Sequence, residues 1–352
     1  MTKQRPDFEL NRPGAVIAAL PAVLGFVPEK SLVLISIDDN ELASVMRVDL
    51  SDALADQIGQ LAEVASAASP EAAIVVIVDA DGAGCPMCNE QYRDLCATLT
   101  DELSQRDIAL WAAHVVDRVA AGGRWHCVDG CGAGGVIDDP SASPVAVAAV
   151  LDGRRLYPRR ADLQSVIAAD ERAPTAALAG LIGDHAASRD SAHRADPSAC
   201  VRRDAEDAMA AAARVGQGQR LSDAELASLA CALGDVEFRD TMYALAVGQS
   251  AGEAESLWAL LSRSLPTPWR VEALVLVAFS AYVRGDGPLA GVSLEAALRC
   301  QPDHRMAGML DTALQSGLRP EHIRELAVTG YRLADRLGVR LPPRRAFGRR
   351  AV

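Results

Sequence analysis

Apolar and polar residues recur in two different rhythms along this chain, and the change from one to the other divides it. Near the start, Pro13 is suited to open a helix that Pro21 is expected to interrupt. Residues 31–37 (SLVLISI) read as a strand, and over 42–50 the residues Leu42, Ser44, Met46, Val48 and Leu50 alternate with Val45, Arg47 and Asp49. With the turn residues DDNE between them, the two runs predict a β-hairpin. Leu54, Ile58, Leu61 and Val64 or Ala65 then fall at helical spacing, and AAIVVIV at 72–78 is the continuous apolar run of a buried strand. A helix over 89–105 and a strand over 108–116 complete a β-β-α-β-α-β order. That order predicts an α/β domain with a mixed sheet, part of it parallel. The Gly-, Asp- and Pro-rich stretch 120–144 reads as one long loop.

From about residue 161 the pattern is helical only. Ser222 and Glu225 have the spacing of a capping box ahead of Leu226, Leu229 and Leu233, and helices are predicted at about 236–248, 252–264, 270–284, 288–300, 303–316 and 320–337. Within 271–302, Leu274, Ala278, Ala290, Leu294, Ala297 and Pro302 occupy the large, small and proline positions of one tetratricopeptide unit. A tetratricopeptide-like stack and an irregular bundle both fit this pattern. The expected organisation is an α/β domain over 1–155, a helical linker region over 156–200, an all-helical domain over 201–338, and a basic, disordered tail over 339–352, with the polar stretch 185–203 read as a linker or an exposed helix.

Composition narrows the function classes. A length of 352 residues favours two domains over one. The net charge of -12 opposes attraction to nucleic acid and anionic lipid, and aromatics at 4% offer few platforms for stacking bases. Arginine outnumbers lysine heavily, a skew that goes with a GC-rich genome and weakens arginine as a phosphate signal. Five arginines at 340–350 form a basic tail, read as a solvated terminus, with contact to nucleic acid or an acidic partner as the alternative. The start MTKQRPDFELNRPG lacks a signal segment and no run of about 18 apolar residues follows, so a cytoplasmic protein without a membrane span is expected. In that compartment the eight cysteines are thiols or metal ligands rather than a disulfide framework.

Several segments resemble a known family. GFVPEKSLVL (25–34), RVDL (47–50), GRWHC (123–127) and RGDGPLAGVSLEAALRCQPDHRMA (284–307) are together similar to the actinobacterial domain-of-unknown-function family 4192, over nearly the whole chain. The resemblance implies organisation and lineage and carries no activity. This chain departs from the family pattern where Cys131 is followed by Gly132 in place of a Cys-Cys-Pro cluster.

Four sets of residues are candidates for chemistry. Cys85-Pro-Met-Cys88 and Cys127-Val-Asp-Gly-Cys131, with His114 and His126 as alternative nitrogen ligands, have the sulfur count of a structural zinc site; unliganded, partly buried cysteines are the other reading. Cys85 and Cys88, placed where a helix follows a strand, also suit a redox pair, because a helix N-terminus stabilises a thiolate. Gly130, Gly132 and Gly135 match G-x-G-x-x-G formally but lack the strand-before, helix-after context, and no P-loop, H-E-x-x-H or G-x-S-x-G occurs. Arg47 with Asp49, and Arg124 with Trp125, are candidate ligand-binding residues, against a structural ion pair for the first and a loop anchor for the second. The reading that follows is a non-enzymatic interaction or scaffold protein with a protein partner. The alternative is a metal- or thiol-dependent enzyme or redox regulator centred on the cysteine pairs.

Overall fold

The computed structural model describes residues 12–67, 69–151, 154–170 and 175–345. It divides into two compact units, Met1–Leu163 and Gln164–Val352. The boundary falls inside the expected linker region 156–200, which is therefore shared between the units. The far tail, residues 346–352, lies outside the described residues, while 342–345 are held to their unit: Tyr331 Oη donates to Pro342 O, Gln249 N to Pro343 O, and Arg345 N to Val247 O.

The first unit is built in the order α1 (Pro13–Leu24), β1 (Ser31–Asp38), β2 (Glu41–Asp49), α2 (Leu54–Ser66), β3 (Ala72–Val78), α3 (Pro86–Ser104), β4 (Ala109–Val116), β5 (Arg124–Cys127), β6 (Gly134–Val136) and α4 (Pro144–Leu151), and the short α5 (Arg160–Ser165) contains the boundary. The six strands form one mixed sheet in the order β2-β1-β3-β4-β5-β6. Only β3 and β4 are parallel, as a pair joined through a crossover helix must be in this layout; every other neighbour is antiparallel. The β1–β2 hairpin turns on Asp39 and Asn40, both at positive φ (51° and 57°), the two-residue geometry that suits Asp and Asn and matches strand twist.

β1 and β3 are apolar on both faces because both are covered. On one side Leu32, Leu34, Val75, Ile77 and Val115 meet Leu54, Ile58 and Leu61 of α2 and Leu99 and Leu103 of α3. Each such side chain contributes roughly 1.5–3 kcal/mol by leaving water. α1 is not interrupted at Pro21: the helix runs on to Leu24 and ends at Gly25 in the left-handed region, φ 76°. The stretch expected as a loop over 120–144 instead contains β5, β6 and a short 3-10 turn. Its glycines conceal the ladder. Gly135 pairs with Trp125, and a Cβ there would lie 3.0 Å from the indole nitrogen, so the strand needs glycine to let the ring lie against it.

The second unit is helical throughout: α6 (Thr175–Ala195), α7 (Pro197–Gly216), α8 (Asp223–Leu233), α9 (Val236–Met242), α10 (Ala251–Ser264), α11 (Arg270–Val283), α12 (Gly287–Cys300), α13 (Arg305–Gln315) and α14 (Pro320–Leu337). The capping box at Ser222 and Glu225 forms as its spacing predicts. The single helix expected over 236–248 is split: α9 gives way to a 3-10 segment, Tyr243–Val247, against which α14 packs closely, a Cβ on its Gly330 falling 2.9 Å from Ala244 Cβ. The polar stretch 185–203 belongs to α6 and α7. Most of its polar residues are exposed, and Arg189 bonds Asp204 and Asp235, each at 2.8 Å.

Candidate functional site

Asp79 follows the last residue of β3 and is nearly buried. This is the carboxyl end of a parallel strand, where α/β sheets open a crevice. Antiparallel pairing brings the start of β1 to the same end, Ser31 lying opposite Val78. Lys30, in the left-handed region at φ 46°, thereby sets its Nζ 2.9 Å from Asp79 Oδ1 and 3.5 Å from Asp81 Oδ2. Tyr92 Oη donates to Asp79 Oδ2 at 2.5 Å, and Asp81 N donates to Oδ1 at 3.1 Å. Burial alone raises the Asp79 pKa, but the bonds from Tyr92, Lys30 and the loop amides outweigh it and hold the carboxyl below its ordinary value. The Lys30 ammonium is correspondingly held above its ordinary value by its bond to Asp79.

The loop from Asp79 leads straight into the head of α3. Pro86 takes the first helical position and Cys85 is the N-cap, its Sγ accepting from Cys88 N at 3.3 Å. The neighbouring Cys88 side chain and then its amide lower the Cys85 pKa, while the Cys85 side chain raises that of Cys88. Asn89, one turn on, holds the loop: its Nδ2 donates to the carbonyls of Gly82, Ala83 and Cys85 at 3.3, 3.1 and 2.8 Å. That orientation leaves Oδ1 to accept from His126 Nε2 at 2.8 Å, which fixes the proton on that nitrogen.

The second cysteine pair lies elsewhere. In the β4–β5 ladder His114 opposes Cys127 and Val115 opposes His126. Val115 and His126 face α3, so His114 and Cys127 point to the other face of the sheet. Cys127 Sγ is 3.7 Å from His114 Nδ1, and burial, then contact with Cys131, pushes the Cys127 thiol up to about 11. Cys127, Asp129 and Cys131 each bring a ligand atom within 4.8 Å of the others, and neither Cys85 nor Cys88 joins that group. The expected four-cysteine set is accordingly split between a helix head and a hairpin turn on opposite sides of the sheet.

The remaining candidates make local contacts. Arg47 bonds Asp49 Oδ1 at 2.6 Å, Ser31 Oγ at 2.8 Å and Glu29 O at 3.3 Å, on the face of β2 away from Met46 and Val48. Arg124 and Trp125, as strand neighbours, point to opposite faces. The Trp125 ring meets His114 edge-on, centroids 5.0 Å apart, and lies against Gly135. A cavity of about 360 Å³ opens between α1 and the segment before α4, lined by Ala15, Ala19, Asp138 and Ser143 among others, and no cysteine lines it. Sequence reasoning missed Lys30, Asp79, Tyr92 and Asn89. Asp79 alone carried a signal, as the first charge after an all-apolar strand.

No helix among the described residues is long and apolar enough to cross a membrane. Residues 13–321 match the family model described as a domain of unknown function, DUF4192. No curated protein and no solved structure matches the chain.

Proposed function

The chain belongs to the DUF4192 family, and for this member we propose a thiol-dependent redox function centred on Cys85 and Cys88. The observation that carries it is the Cys88 N–H bond to Cys85 Sγ, 3.3 Å, at the N-terminus of a helix that follows a sheet strand. In the exchange, the Cys85 thiolate attacks one sulfur of a partner disulfide and expels the other as a thiolate. Cys88, giving its proton to solvent, then attacks Cys85 Sγ, releasing the partner dithiol and leaving a Cys85–Cys88 disulfide; two electrons pass to the partner. Lys30 and Asp79 border this centre and set its field. The reading goes with a reducing, cytoplasmic setting, where the pair stays dithiol until used. In the test, Cys88→Ser should accumulate a mixed disulfide with a disulfide-bonded peptide through Cys85, and the wild-type chain should release the reduced peptide. Equal adduct yield from Cys85→Ser would sink the reading.

A second reading, a scaffold that docks a protein partner on the helical unit, draws on the α11–α12 hairpin. Leu274, Ala278, Ala290, Leu294 and Ala297, the tetratricopeptide-pattern positions, are all fully buried, as close antiparallel packing of such a pair requires. Its test is co-purification of a stoichiometric partner that survives loss of both Cys85 and Cys88.

A further inference from the structure

We propose that Cys127, Cys131, Asp129 and His114 form a mononuclear zinc site, separate from Cys85 and Cys88 and independent of the thiol-exchange reading. The His114 Nδ1 to Cys127 Sγ distance of 3.7 Å is a hydrogen-bond contact. It also matches the edge of a coordination tetrahedron, since a sulfur and a nitrogen at about 2.3 and 2.1 Å from one zinc ion lie roughly 3.6 Å apart. His114 is only 4% exposed, is held edge-on by Trp125, and sits directly across the ladder from Cys127. Half of the tetrahedron is therefore fixed by the β4–β5 pairing itself.

The other half comes from the turn into β6. Gly130 and Gly132, at φ 74° and 84°, fold Cys131 back so that its sulfur, an Asp129 oxygen and Cys127 Sγ already lie within 4.8 Å of one another. Cys131 N holds Asp129 Oδ1 at 3.0 Å, which orients the carboxylate and leaves its second oxygen for an ion. His114 lies outside that 4.8 Å group, so closing the shell requires the exposed turn carrying Asp129 and Cys131 to move onto the buried His114 and half-buried Cys127. Two thiolates with one imidazole and one carboxylate select zinc over magnesium or calcium, which take oxygen ligands. Binding displaces the two thiol protons to solvent. The ion would clasp β4, β5 and the turn to β6 together at an edge of the sheet where β6 has only three residues.

The test is metal analysis of the full chain, purified without chelator or histidine tag, with cobalt(II) as spectroscopic probe. About one zinc per chain is expected, and the cobalt form should show thiolate-to-cobalt charge transfer with intense tetrahedral bands. The Cys85→Ser/Cys88→Ser double variant should keep both. Cys131→Ser should lose them, and Asp129→Asn should weaken cobalt binding by about tenfold or more. Because Cys131 is exposed, its variant should retain the wild-type circular dichroism, which separates metal loss from unfolding. Absence of zinc and of a cobalt spectrum in folded wild type, or retention of both in Cys131→Ser, overturns the proposal. Loss of metal in the Cys85/Cys88 double variant would overturn it in favour of a four-cysteine site.

Discussion

The CPMC and CVDGC pairs are nearly alike in sequence spacing, yet the fold gives their sulfurs opposite surroundings. At the head of α3, Cys85 receives the Cys88 amide proton and its pKa is lowered, and the neighbouring Asp79–Lys30–Tyr92 cluster is satisfied without it. At the β5–β6 turn, Cys127 faces an imidazole across a ladder and receives no amide of a helix end. Donors around a sulfur prepare it for nucleophilic attack, whereas ligand atoms around it prepare it for an ion. Spacing alone does not distinguish the two; the element that carries the second cysteine does.

The comparison breaks most completely where both pairs depend on one scaffold. Leu99 is fully buried between α3 and the sheet, so Leu99→Ala should lower stability by about 2–5 kcal/mol in urea titration. Little change there would mean that α3 is not seated as described. A more local break is Gly82→Ala, whose Cβ would fall 2.0 Å from Tyr92 Oη and 2.6 Å from Asp79 Oδ2. It should cost roughly 1–3 kcal/mol by parting that buried hydrogen bond and slow Cys85 alkylation, while zinc content stays unchanged.

Two smaller effects sharpen the contrast. The folded Asp79 carboxyl titrates below its ordinary value, so its contribution is present above the unfolded pKa of about 3.9 and is lost as pH falls through the folded one. Asp79→Asn should accordingly flatten the acid limb of a stability–pH curve, and an unaltered limb would show that the carboxyl carries no such linkage. Cys85, its pKa lowered, should be alkylated at a lower pH than an ordinary thiol, and far below Cys96, which burial pushes up to about 12. A peptide map of iodoacetamide labelling against pH reads this directly.

Much of the first unit was legible because burial writes itself into the sequence. AAIVVIV is buried on both faces and reads so, and the alternation over 42–50 puts Met46 and Val48 on the core side as expected. β5 and β6 were not legible, since Gly134 and Gly135 pair as a strand for lack of a side chain rather than for any strand preference. At the site, the cysteines, His114 and His126 announced themselves by type, but their grouping depended on ladder register, which sets His114 beside Cys127 and turns His126 toward Asn89. Asn89 and Lys30 act through bonds across 37 and 49 residues respectively, distances over which a single sequence holds no pattern. In the second unit the polarity of 185–203 pointed to a linker or an exposed helix, and most of its residues are indeed exposed on α6 and α7; the tie of Arg189 to Asp204 and Asp235 is what the sequence did not show.

Helix α11 has a consequence for how the chain comes off the ribosome. Twelve of its 14 residues are buried, and it packs against α10 before it and α12 and α14 after it. When α11 leaves the exit tunnel only its upstream neighbours are there to meet it, and its remaining faces stay sticky until another fifty or so residues have been made. That interval is when a nascent-chain chaperone has something to hold, and when two polysomal neighbours have most to gain by sharing helices.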